Sequence, residues 1–131
     1  MSILYSPFAF LALTAAAGAQ TFSIVVLDGD SVPGIGSVTS IENLDINEAG
    51  DWLVEVDTDH PDNNADGVIL RNGSLVLREG DSVLAPSGAT IDFFDSVRLN
   101  DLGNRVHNHT LDGTSGSSDD SASVNGFEVP S

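Results

Sequence analysis

Apolar residues in this chain come in short runs, each bounded by glycine, asparagine, aspartate, serine or proline, and that pattern predicts β-strands throughout. Residues 22–27 form the first expected strand, turned by Asp28-Gly29-Asp30. Val32-Pro33-Gly34-Ile35-Gly36 continues as loop, and residues 38–41 and 44–46 follow as two short strands. The clearest strand is Trp52-Leu53-Val54-Glu55-Val56, where Trp52, Val54 and Val56 share one face at a period of two. Residues 67–70 and 75–77 flank Asn72-Gly73, a strong hairpin signal because both residues tolerate the positive φ of a two-residue turn. Further strands are expected at 91–94, 96–99 and 105–111, with a Gly/Ser/Asp-rich loop over 114–121.

The pattern then repeats. Val25-Val26-Leu27-Asp28-Gly29-Asp30-Ser31-Val32 returns as Val76-Leu77-Arg78-Glu79-Gly80-Asp81-Ser82-Val83, 51 positions on. Asn47-Glu48-Ala49-Gly50 returns as Asn100-Asp101-Leu102-Gly103, and Asn72-Gly73 as Asn125-Gly126, each 53 positions on. Three anchors in one order at nearly one spacing define a tandem repeat, and a period of this length belongs to propellers, solenoids and arrays. The copies run over about 22–73 and 74–126, with a third beginning at 127–131. Four short strands in about 50 residues is the arithmetic of a propeller blade. The expected fold is therefore all-β: two tandem four-stranded, blade-like antiparallel sheets, an incomplete β-propeller-like repeat array, after an N-terminal signal helix. Two copies and one strand cannot close a ring, which predicts a truncated product that self-associates through open sheet edges.

Residues 1–19 read as a secretory signal peptide and 20–131 as the β-repeat domain. Phe8-Ala9-Phe10-Leu11-Ala12-Leu13-Thr14-Ala15-Ala16-Ala17 is an apolar run of suitable length, and Ala17-Gly18-Ala19 fits cleavage before Gln20, although Met1-Ser2-Ile3-Leu4-Tyr5-Ser6 carries no Lys or Arg. The run is shorter than the ~20 residues that cross a bilayer, so no membrane insertion is expected after cleavage. A secreted or cell-surface protein is the expectation.

Charge narrows the partners. The net charge is −16, with 20 acidic residues, 15 of them Asp, against Arg71, Arg78, Arg98 and Arg105 and no Lys. Nucleic acid and anionic membranes need a basic face, so both are excluded. An extracellular protein or glycan is the kind of partner left. The absence of Cys excludes disulfides, thiolate metal sites and a Cys nucleophile.

Asp62-Asn63-Asn64-Ala65-Asp66-Gly67-Val68-Ile69 fits the first two-thirds of a calcium loop. Asp62, Asn64 and Asp66 put oxygen at alternate positions, Gly67 suits a sharp turn, and Asp57 or Asp59 can complete a Ca²⁺ site. The twelfth position, which a true EF-hand fills with Glu, is Gly73. The same residues also make an ordinary Asx turn. His107-x-His109 puts two imidazoles on one strand face, where they either face solvent or join His60 or an acid at a transition metal. No Gly-x-Ser-x-Gly elbow occurs, and no pair among the many carboxylates stands out as a glycosidase pair. Trp52, the sole Trp, is expected in the core before any ligand-stacking role.

The anchors Gly29-Asp30-Ser31-Val32-Pro33-Gly34 with Asn47 and Gly50, and Gly80-Asp81-Ser82-Val83 with Asn100 and Gly103, resemble those of secreted bacterial tandem-repeat proteins of planctomycete type. Where that family usually has an aromatic after the motif glycine, this chain has Val54 and His107. The resemblance implies propeller-like blades with no catalytic residues attached to the signature. It points to a non-enzymatic, exported scaffold or binding module. The alternatives are a calcium-dependent adhesion or carbohydrate-binding module and a fragment of a propeller-type glycan-active enzyme.

Overall fold

The computed structural model of the chain describes residues 23–114, 120–125 and 127–129. The expected signal peptide and the middle of the 114–121 loop lie outside the described residues. Among the described residues nine strands are formed: β1 (Ser31–Val32), β2 (Gly36–Ile46), β3 (Trp52–Thr58), β4 (Gly67–Arg71), β5 (Ser74–Arg78), β6 (Thr90–Leu99), β7 (Arg105–Asp112), β8 (Asp120–Val124) and β9 (Phe127–Val129). They make two antiparallel sheets, β1-β2-β3-β4-β5 and β6-β7-β8-β9. The described part is all-β, and it holds no helix long and apolar enough to cross a membrane.

Three local expectations are corrected. Residues 38–41 and 44–46 are not separate strands but parts of β2, whose register with β3 shifts between Val38 and Ser40 and again between Ile41 and Asn43. Each bulge adds a residue and breaks the period-two alternation, so one strand reads as two. Likewise 91–94 and 96–99 are one strand, β6, with shifts between Ile91 and Phe93 and between Phe94 and Ser96. Residues 23–27 form no strand. Leu27 spends its backbone on a turn instead: its carbonyl accepts from Asp30 N (3.1 Å) and its amide donates to the Asp30 carboxylate (2.8 Å). Ser74–Arg78, which the repeat in the sequence puts at the head of the second copy, hangs on the first sheet as its last strand.

Strand alternation divides the core in two. On the front of the first sheet Val38, Val54, Val56, Val68 and Leu70 pack with Val32, and Val26, Ile35 and Trp52 lean on them. On its back Leu53 and Ile69 pack into the front of the second sheet, against Ile91, Phe94, Val97 and Leu99. Burying one such side chain is worth about 1.5–3 kcal/mol, so this second cluster is what binds sheet to sheet.

Corresponding hydrogen bonds recur in the two sheets. Asn47 Oδ1 accepts from Asp51 N and Asn100 Oδ1 from Asn104 N, both at 2.9 Å. Asn72 Oδ1 accepts from Trp52 N and Asn125 Oδ1 from Arg105 N, again at 2.9 Å. Asn72 and Asn125 sit at φ of 49° and 52°, left-handed backbone that Asn adopts more readily than other non-Gly residues. The Asp30 and Asp81 carboxylates bond the amides of Leu27 and Arg78. Asp30 O accepts from Val38 N, and Asp81 O from Ile91 N, so the second loop is two residues longer, which converts the spacing of 51 into 53.

The two Asn-x-x-Gly turns also touch one another. Asn47 Nδ2 donates to Asn100 O (3.1 Å), Glu48 N to Asp101 Oδ1 (3.0 Å) and Leu99 N to Asp45 Oδ2 (2.7 Å). Arg71 joins them, donating to Gly103 O (3.1 Å) while pairing with Asp51 (3.0 Å). Gly103 is favoured by its φ of +77°, and a Cβ there would lie 2.8 Å from Arg71 Nη2 and displace that guanidinium.

Candidate functional site

The loop predicted to hold calcium joins β3 to β4. Asp62 Oδ1 accepts from Asn64 N (3.1 Å), Asp62 O from Ala65 N (3.0 Å), and Asp62 N donates to His60 Nδ1 (3.2 Å). These bonds make an Asx turn of the loop's own. Asp57 and Asp59 are drawn to β2 instead: Asp57 Oδ2 accepts from the Ser40 hydroxyl (2.9 Å) and Asp59 Oδ1 from Ser37 N (2.6 Å). Among the described residues no group of three or more His, Asp or Glu side chains is placed to hold a metal ion.

Asp66 of the predicted set hydrogen-bonds a carboxyl from another element. Its partner is Glu79, which sequence reading passed over. Pairing of Val68 with Arg78 carries Glu79 past the end of β5 to the foot of the loop. There Glu79 N donates to Gly67 O (2.9 Å) and Glu79 Oε2 accepts from Gly67 N (2.9 Å). Gly67 is thus not the turn glycine expected of a calcium loop. It opens β4, and a Cβ on it would lie 2.5 Å from the Glu79 carboxyl carbon.

Burial is the largest reason that the Glu79 carboxyl is pushed up to about 7; its hydrogen bond with Asp66 and the charges of Asp66 and Asp57 act in the same direction, and the Gly67 amide against them. Glu79 therefore holds its proton more tightly than a free carboxyl, hydrogen-bonded to Asp66. A second buried carboxyl, Glu55, accepts from Asn43 Nδ2 (2.7 Å) and is raised by burial first, then by Asp57, Glu42 and Asp95. Neither Glu has a sequence signal, because each meets its neighbours only across strands.

His107 and His109 do share a face of β7, as their spacing requires, but that face is buried rather than solvated. The face is the front of the second sheet, and His107 stands edge-on to Phe94 with ring centroids 6.3 Å apart. The two Nδ1 atoms are 3.3 Å apart, one donating and the other accepting. Burial, then His109 and Arg105, lowers His107 to about 4, so it is neutral in the fold. His60 lies in the β3–β4 loop, bonded to Asp62, away from this face.

Trp52 lies where its strand position puts it, half-buried against the front cluster. It also lines an open groove of ≈ 190 Å³ between the sheet and residues Val25, Val26, Asp30 and Ser31.

No protein-family model, no curated protein and no solved structure matches the chain, so its function is argued from these residues.

Proposed function

We propose that this chain is a non-enzymatic, exported repeat protein that serves as an extracellular or cell-surface scaffold or binding module. One observation carries the reading: the bonds made by Asn47, Asn72 and Asp30 in one sheet are made by Asn100, Asn125 and Asp81 in the other. Residues that recur in this way shape turns, and the two sheets are read as two blade-like units of one array. The acidic surface suits a soluble protein outside the cell. Expression of the whole chain in a bacterial host tests export. N-terminal sequencing of the product outside the cytoplasm is expected to begin at Gln20; an intact chain retained in the cytoplasm overturns the reading.

The calcium-dependent adhesion reading keeps one observation in its favour: the charges of Asp66 and Asp57 act on Glu79 at the foot of the loop, and a cation there would offset them. A thermal melt with Ca²⁺ and with chelator decides it. A ligand that binds only the native state raises the midpoint, by an amount equivalent to about 2.7 kcal/mol at a hundredfold excess over Kd. An unmoved midpoint removes the calcium reading and leaves the scaffold.

A further inference from the structure

The chain shows one row of the same sheet face, that of β2 and of β6, both covered and uncovered. On the front of the second sheet Phe94, Val97 and Leu99 are 1%, 0% and 8% exposed, because the back of the first sheet lies on them. The positions 53 residues earlier, Ile41, Leu44 and Ile46, occupy the same register against β3 and are 46%, 49% and 53% exposed. On the back of the second sheet Phe93 and Val106 are 56% and 38% exposed, among Ser96, Arg98, Asn108 and Thr110. Val106 and Ala122 stand there where Leu53 and Ile69 stand on the back of the first.

We propose that the front of the first sheet, centred on Ile41, Leu44 and Ile46, docks the back of the second sheet of another copy of this chain. The occupant is argued from the interface the chain already makes, which puts the back of one sheet on the front of the next. The guiding polar groups are present in both places. Inside the chain Asn47 Nδ2 donates to Asn100 O and Glu48 N to Asp101 Oδ1. Between copies the corresponding donors are Asn100 Nδ2 and Asp101 N, and the acceptors are Asn47 O and the Glu48 carboxylate of the next chain. Two internal contacts are not repeated. Arg98 replaces the acceptor Asp45, and Val124 replaces the donor Arg71, so contact between copies is weaker than contact within the chain.

Front and back are different surfaces, so the contact is heterologous and adds copies head to tail. A net charge of −16 on every copy opposes it at low salt. The docking depends on the apolar faces and not on export or calcium.

Sedimentation of the full chain tests it. In about 0.1 M salt the chain is expected to be largely monomeric, and in about 1 M salt, where the screening length falls to about 3 Å, its mass should climb steadily with protein concentration. Leu44→Asp on the front and Val106→Asp on the back should each hold the chain at the monomer mass in high salt. An equimolar mixture of the two should reach twice the monomer mass and stop, because each variant keeps one sound face. That mixture also shows that both variants are folded. A wild-type chain that stays monomeric in high salt overturns the proposal. So does association that survives either substitution, which would place the contact at sheet edges, between two front faces or in residues 1–22.

Discussion

Glu79 and His107 both lose water on folding, and they bias stability in opposite directions. Glu79 binds its proton more tightly in the fold, at about 7 against an ordinary 4.5. Its contribution is therefore full at low pH and is lost as pH rises from 4.5 through 7. His107 binds its proton less tightly in the fold, at about 4 against 6.5, so stability falls as pH drops from 6.5 toward 4. Glu79→Gln keeps an acceptor for Gly67 N and a donor for Asp66, and should abolish the fall in Tm between about pH 5 and about pH 8 that the wild type shows. Replacing His107 and His109 together by Val, the residue type at Val54 and Val56, should abolish the loss on the acid side and leave the melt near neutrality little changed. Melts followed by circular dichroism across this range check both. A Glu79→Gln variant with the wild-type slope assigns that titration to another group.

Turns and strands were legible in the sequence to different degrees. Asn72-Gly73 announces its hairpin because a left-handed φ is a local demand that few residues meet. The bulges in β2 and β6 announce nothing, since the extra residue is recognised only against the partner strand. Residues 23–27 have strand composition and still form none, because the Asp30 turn takes the backbone groups of Leu27. The Asn-x-x-Gly turns show how one motif acquires two values. Asn47 is buried and bonds both its own turn and the carbonyl of Asn100, whereas Asn100 is exposed and its side chain bonds only its own turn. Asn47→Ala is expected to cost about 1–3 kcal/mol and Asn100→Ala less, since water replaces lost partners only at an exposed site. Urea unfolding of the two variants measures the difference, and equal losses would mean that the bridge between turns contributes nothing.

At the scale of the molecule, stability depends on two sheets sharing one layer of side chains. Leu53 and Ile69 are the first sheet's buried contributions to that layer, and Leu53→Ala should cost about 2–5 kcal/mol. Ile41→Ala, at an exposed position, should stay within about 0.5 kcal/mol in the monomer. Trp52 fluorescence reports the first sheet alone, because it is the sole Trp, while circular dichroism reports both sheets. Coincident midpoints for the wild type are expected if the shared layer makes unfolding cooperative; separate midpoints would show that the sheets unfold one at a time.

The all-β class, the Asn72-Gly73 hairpin and the recurrence of Gly-Asp and Asn-x-x-Gly anchors can be read from the residues, because each follows from local backbone preference or from period-two alternation. Tertiary structure alone decided what those anchors touch. It set Glu79 over Gly67, buried the two His that alternation could place only on some face, and covered Phe94, Val97 and Leu99 while leaving Ile41, Leu44 and Ile46 bare. A strand pattern says which side chains share a face. Only packing says which face another sheet removes from water, and burial of that face is where both the energy and the shifted charges come from.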